Sequence, residues 1–103
     1  MSEKTQEGLD NLIIEGLNAE KGELDLRERE LDDDDIKLIV NSDKIKGVTA
    51  LFLEYNEIGD EGLQAILGSE KFKHLTALNM FKNQVSDDGV KEMAKSKTLL
   101  NLS

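Results

Sequence analysis

The chain has 103 residues, room for one domain, with 38% hydrophobic and 4% aromatic residues, no cysteine and a net charge of −9. Without cysteine there is neither a disulfide framework nor a thiolate metal site, and no apolar run approaches the roughly 20 residues of a membrane-spanning helix. Residues 1–35 hold 13 acids against 4 bases, while residues 36–103 balance at 9 of each; a field of that sign repels nucleic acid and anionic membranes and favours a basic partner.

The apolar positions recur every 27 residues. Leu9, Ile36, Leu63 and Val90 form one series; Leu12, Ile39, Ile66 and Met93 a second; Ile13, Val40, Leu67 and Ala94 a third. Leu24, Leu51 and Leu78 keep the same interval, each followed two residues later by Leu26, Leu53 or Met80. A constant period in the range of about 20–50 residues marks stacked units that bury their apolar faces only against one another.

Residues 1–21 hold only the helical half of a unit, so they predict an N-terminal capping helix with Leu9, Leu12 and Ile13 on its buried side. Repeats are expected at 22–47, 48–74 and 75–96, with a partial repeat at 97–103. Each opens with apolar residues at period 2, as in Leu51-Phe52-Leu53 and Leu78-Asn79-Met80, the mark of a short half-buried strand. A polar turn follows, Glu54-Tyr55-Asn56 or Phe81-Lys82-Asn83, and then one apolar residue, Leu31, Ile58 or Val85. Asp33, Asp60 and Asp87 are expected to cap the helices that come next, since a carboxylate accepts free N–H groups of a first turn. Gly68 is expected to help end the middle helix, and Ile45 and Phe72 to fill the return to the next strand. The predicted fold is an α/β solenoid of connectivity α(βα)3β with four short parallel strands. Thr98-Leu99-Leu100-Asn101-Leu102 matches Thr76-Ala77-Leu78-Asn79-Met80 at a spacing of 22. The sequence then stops without a polar cap, an end that continuing chain, another copy or a partner would cover.

Four other features carry less chemistry than they suggest. For the run Asp32-Asp33-Asp34-Asp35 to open an EF-hand calcium loop, glycine would be needed at position six and glutamate at position twelve, where Lys37 and Asp43 stand. It reads better as a helix start. His74, the only histidine, has no histidine or cysteine partner for a metal and no recognisable nucleophile beside it, and reads as a surface turn residue. Gly59-Asp60-Glu61-Gly62 lacks the lysine of a phosphate-binding loop. Asn101-Leu102-Ser103 fits a glycosylation acceptor, without a secretory signal to give it meaning. No catalytic, cofactor or metal residues are expected.

The two cleanest units share the pattern Leu-x-x-Leu-x-Leu-x-x-Asn-x-Ile-x-Asp-x-Gly-Leu, running from Val48 through Asn56 to Leu63 and from Leu75 through Asn83 to Val90. This resembles the leucine-rich repeat, in particular the ribonuclease-inhibitor-like class with a full helix per repeat. The resemblance implies a right-handed horseshoe with a concave parallel sheet and convex helices. It also implies that Asn56 and Asn83 form an asparagine ladder satisfying backbone groups in the turns. Arg29 departs from that pattern, so an altered first turn is expected.

Strand alternation then places Asp25, Phe52, Asn79 and Asn101 in one outward row, and Arg27, Glu54, Phe81 and Ser103 in the next. Phe52 and Phe81 on neighbouring strands suggest an apolar patch, extended by Tyr55 and Lys82. The expected function is a non-enzymatic module binding a protein partner through the concave face, with Asp25, Arg27, Phe52, Glu54, Tyr55, Asn79, Phe81 and Lys82 as contact residues. Its expected place is the cytoplasm, or host-cell cytosol for a translocated bacterial effector, since such effectors and intracellular regulators carry similar repeats. Two rival expectations are a self-assembling module dimerising through Leu100 and Leu102 at the C-terminal edge, and a regulatory fragment of a larger protein such as a GTPase regulator.

Overall fold

The computed structural model describes residues 4–93 and 99–101, with side chains described up to Gly89 and at Lys91. It confirms the periodic architecture. The elements are α1 (Gln6–Gly16), β1 (Leu17–Asn18), β2 (Glu23–Asp25), α2 (Asp33–Ile39), β3 (Ala50–Phe52), α3 (Asp60–Leu67), a 3-10 turn (Glu70–Phe72), β4 (Ala77–Asn79), α4 (Asp87–Met93) and β5 (Leu99–Asn101). The strands form one open sheet in sequence order.

The register of the sheet carries the sequence period directly. Leu24 lies beside Leu51, Leu51 beside Leu78, and Leu78 beside Leu100, all parallel. The shortened last interval is therefore real in the pairing of β4 with β5. The entries into β3 and β4 share one hydrogen-bond device. The Gly22 carbonyl accepts from Thr49 and Ala50 at 2.7 and 3.1 Å, and the Thr49 carbonyl accepts from Thr76 and Ala77 at the same two distances.

A continuous core fills the space between sheet and helices. Leu9 and Ile13 of α1, Leu24 and Leu26 around β2, Ile36 and Ile39 of α2, Leu51, Leu53, Leu63, Ile66, Leu78 and Met80 are all buried in it. Leu31 and Ile58 are fully enclosed after the turns, and Ile45 and Phe72 close the returns as expected. Leu12, Val40 and Leu67 are only partly buried against this core. The expected core side chains of Val90, Met93 and Ala94 lie outside the described ones.

The N-terminal segment differs from expectation by one strand. Leu17–Asn18 pairs antiparallel with β2, Leu17 opposite Leu24 and Asn18 opposite Glu23, so the sheet has five strands and is mixed. The reason is edge chemistry: β2 would otherwise leave a row of backbone groups open. Gly16 permits the approach, because a Cβ there would sit 2.2 Å from the Asp25 carbonyl oxygen. Thr5 caps α1 by accepting from the Gly8 N–H at 3.1 Å.

The helix starts correct the expected caps. Asp32, not Asp33, caps α2, accepting from the Asp35 N–H at 2.9 Å while Asp35 accepts from the Asp32 N–H at 3.0 Å, a complete capping box. Gly59 stands at the cap of α3 without a side chain to offer. Asp33 and Asp60 serve the next repeat instead of their own helices. Asp33 accepts from the Gly59 and Gly62 N–H groups at 2.7 and 3.1 Å, and Asp60 accepts from the Ser86 N–H at 2.8 Å and from its hydroxyl. Stacked repeats bring each aspartate beside the start of the following helix, where it accepts from N–H groups of that start. Gly68 does follow α3, with its N–H on the Gln64 carbonyl.

Candidate functional site

The asparagine ladder positions the turns that follow the strands. The Asn56 amide nitrogen donates to the Leu53 carbonyl at 2.9 Å and to the Leu26 carbonyl of the previous unit at 3.0 Å. Its oxygen accepts from the Arg29 and Leu31 N–H groups at 3.0 Å each. Asn83 repeats the pattern one unit on, donating to Leu53 and Met80 at 2.8 and 3.1 Å and accepting from Ile58 at 2.9 Å. Arg29 does without the asparagine because Asn56 already serves the Leu26 carbonyl. The first turn is altered as expected. Glu28, Tyr55 and Lys82 share a left-handed backbone at φ of 55°, 61° and 62°, and the first turn adds a second such residue, Glu30, at 57°.

These turns and the outward rows of the sheet make up the site. Asp25, Phe52 and Asn79 stand side by side in one row, each half-buried. Asp25 and Asn79 also terminate their strands, accepting from the N–H groups of Arg27 and Phe81 two residues on, both at 3.1 Å. Arg27 folds back on Asp25 through two charge-assisted bonds of 3.0 and 2.8 Å. That pairing, above all, holds the Asp25 carboxyl below its ordinary range and raises the Arg27 guanidinium.

The aromatic patch is assembled differently from the expected Phe52–Phe81 pair. Among the described residues, the ring meeting Phe81 is Tyr55, edge-on with centroids 5.6 Å apart, and Lys82 places its ammonium 5.4 Å above the Phe81 ring. Tyr55 is 53% exposed, one of two large apolar side chains so open among the described ones, the other being Ile14 on α1. Phe52 instead faces a cleft of about 900 Å³ over β1 and β2, lined by Glu15, Glu23, Asp25, Arg27 and Glu28 among others. The eight expected contact residues therefore fall into two adjoining groups: Asp25, Arg27 and Phe52 at the cleft, and Tyr55, Asn79, Phe81 and Lys82 beyond it. Glu54 lies between them, in the register position between Arg27 and Phe81. One of its carboxylate oxygens is buried without a hydrogen-bond partner, a feature with no sequence signature. Asn101 is placed only by its backbone in β5, and Ser103, Leu102 and the side chain of Leu100 lie outside what is described.

Three members of the four-aspartate run are consumed by folding, and Asp34 is exposed. Asp32 and Asp35 form the capping box, Asp33 caps the neighbouring repeat, and Asp35 also meets Lys4 at 3.2 Å. His74 lies exposed in the turn before β4.

The family model described as leucine rich repeat matches residues 48–67 and 73–94, the two units with complete ladders. No curated protein matches the chain.

Proposed function

Starting from a chain that is a leucine-rich repeat protein, we propose that it is a non-enzymatic module that binds a protein partner through its concave sheet face. Leucine-rich repeats commonly mediate protein–protein interaction. The presence of a helix in each of the three repeats supports the ribonuclease-inhibitor-like class.

The observation that carries the reading is the row of outward side chains that the sheet leaves uncovered. Phe52 and Arg27 line the cleft, Tyr55 and Phe81 form a half-open aromatic pair, and Lys82 lies over the Phe81 ring. Aromatic and arginine side chains held in fixed geometry are the usual anchors of interfaces. The ladder beneath fixes their backbone, so little conformational freedom is left to lose on binding.

The test is capture from lysate with the purified chain, comparing wild type with Phe52→Ser/Phe81→Ser and with a helix-side control, Lys37→Glu/Glu61→Lys. All three are first checked for fold by circular dichroism. Proteins enriched by wild type and control but lost with the double phenylalanine variant support the reading. Equal enrichment by all three removes it.

A further inference from the structure

We propose that the row Glu28, Tyr55, Lys82 is a self-complementary contact through which two copies of this chain pair about a two-fold axis passing at Tyr55. The inference goes beyond the concave-face reading and is tested without it.

The repeat builds the row. The three residues are 27 apart in sequence and all are exposed. Their backbones share the left-handed turn, with φ of 55°, 61° and 62°. Hydrogen bonds carry the register of the sheet into these turns: the Glu28 N–H donates to the Glu54 carbonyl at 3.0 Å, and the Tyr55 N–H to the Phe81 carbonyl at 2.9 Å. Neighbours in the row therefore stand about 5 Å apart, the spacing of strands, and Glu28 and Lys82 about 10 Å apart. One edge of the molecule thus presents an acid, an aromatic ring and a base, in that order.

The two charges have no partners of their own. Among the described residues, neither Glu28 nor Lys82 takes part in an ion pair. Arg27, next to Glu28, is bound to Asp25 by two hydrogen bonds and reaches Glu28 only through its field. Lys82 lies over the Phe81 ring. Between them Tyr55 keeps 53% of its surface open.

That order of charges selects the occupant. A two-fold interface sets residue i of one copy against residue j of the other, and j against i. An axis through the middle of the row, at right angles to it, sets Tyr55 against the second copy's Tyr55. Glu28 then meets the second copy's Lys82, and Lys82 its Glu28. Two ion pairs flank a pair of rings. The contact is smaller than the roughly 800 Å² per partner of a standard interface. Glu57, exposed one row beyond, comes near its own like charge across the axis. The association is therefore weak and reversible.

The experiment is sedimentation equilibrium of the purified chain from about 10 μM to 1 mM. The salt is about 0.15 M, where a Debye length of about 8 Å screens the net charge of each copy more than charges in contact. Wild type is compared with Glu28→Lys, with Lys82→Glu, with an equimolar mixture of those two, and with Tyr55→Asn. Asparagine tolerates the left-handed backbone. Each variant is first checked for fold by circular dichroism.

The expected wild-type mass rises towards the dimer across this range. Each charge variant alone weakens association about tenfold, because both ion pairs become like-charged. Mixing the two restores it, since every flanking contact then joins a lysine to a glutamate. Tyr55→Asn weakens association with the charges untouched. Should one charge variant fail to fold, Tyr55→Asn and the other variant carry the test. Glu28→Lys also brings the net charge of −9 nearer to zero, so a diffuse field would strengthen its association. A wild type that stays monomeric at about 1 mM overturns the proposal, as does a Glu28→Lys chain that associates as well as wild type. Single variants that do not recover on mixing overturn it too, because the dimer then uses another surface. All of these readings come from the chain alone, so lysate capture still decides the concave-face reading separately.

Discussion

Asn56→Ala tests the ladder that holds the site in place. The side chain is 7% exposed and makes four good hydrogen bonds to backbone, two as acceptor at 3.0 Å and two as donor at 3.0 and 2.9 Å. A net value of about 1 kcal/mol for each gives a loss of about 4 kcal/mol. That is a large share of the roughly 5–15 kcal/mol that keeps a domain folded. With a urea slope of about 1–2 kcal/mol/M, the unfolding midpoint should fall by roughly 2–4 M. The assay is urea denaturation followed by circular dichroism. Arg29→Asn is the matched comparison: it restores the family residue at a position whose target, the Leu26 carbonyl, Asn56 already satisfies, so stability should stay within about 0.5 kcal/mol. A loss below about 1 kcal/mol for Asn56→Ala, or one no greater than for Arg29→Ala, would refute the ladder reasoning.

Gly62→Ala places a Cβ 2.6 Å from an Asp33 oxygen and 2.8 Å from Ile58, and should cost about 1–3 kcal/mol by thermal unfolding. Adding Asp33→Ala should recover part of that loss, so the two changes combine less than additively. Lys4→Ala removes the partner of buried Asp35, with side chains 18% and 8% exposed, and should loosen α1 against α2, read as faster amide exchange in α1 at a cost of about 1–3 kcal/mol. Asp60 has a lowered pKa, first because the Ser86 hydroxyl donates to it and then because the Ser86 N–H does. A carboxyl whose folded pKa lies below its ordinary 3.8 stabilises above that value and loses the contribution as pH falls through the folded pKa. Ser86→Ala should therefore raise the Asp60 pKa towards 3.8, measured by carbon-detected NMR titration, and flatten the acid limb of the stability profile.

Much of this fold is legible because a repeat writes each packing constraint more than once. Leu24, Leu51 and Leu78 declare the same inward position three times, and the sheet register follows from their spacing. The ladder asparagines are legible for the same reason. What escapes is whatever breaks the period or crosses between units. Leu17–Asn18 has no counterpart in the repeats, and only the open edge of β2 explains it. Asp33 and Asp60 look like caps of their own helices, yet stacking aims them at the next repeat. At the site, alternation places Phe52 and Phe81 outward correctly, but the partner of Phe81 is Tyr55, brought over by the left-handed turn at φ 61°. The sealed oxygen of Glu54 depends on side-chain packing that no spacing encodes.

The most direct measurement of the central claim is an amide chemical-shift map of the labelled chain titrated with the protein it captures. The account predicts that the largest shifts fall on the strand residues and turns of the exposed sheet face, from Asp25 and Phe52 to Tyr55 and Phe81. It also predicts that α2 and α3 stay quiet. Shifts concentrated on the helical side, with the sheet face unmoved, would contradict it.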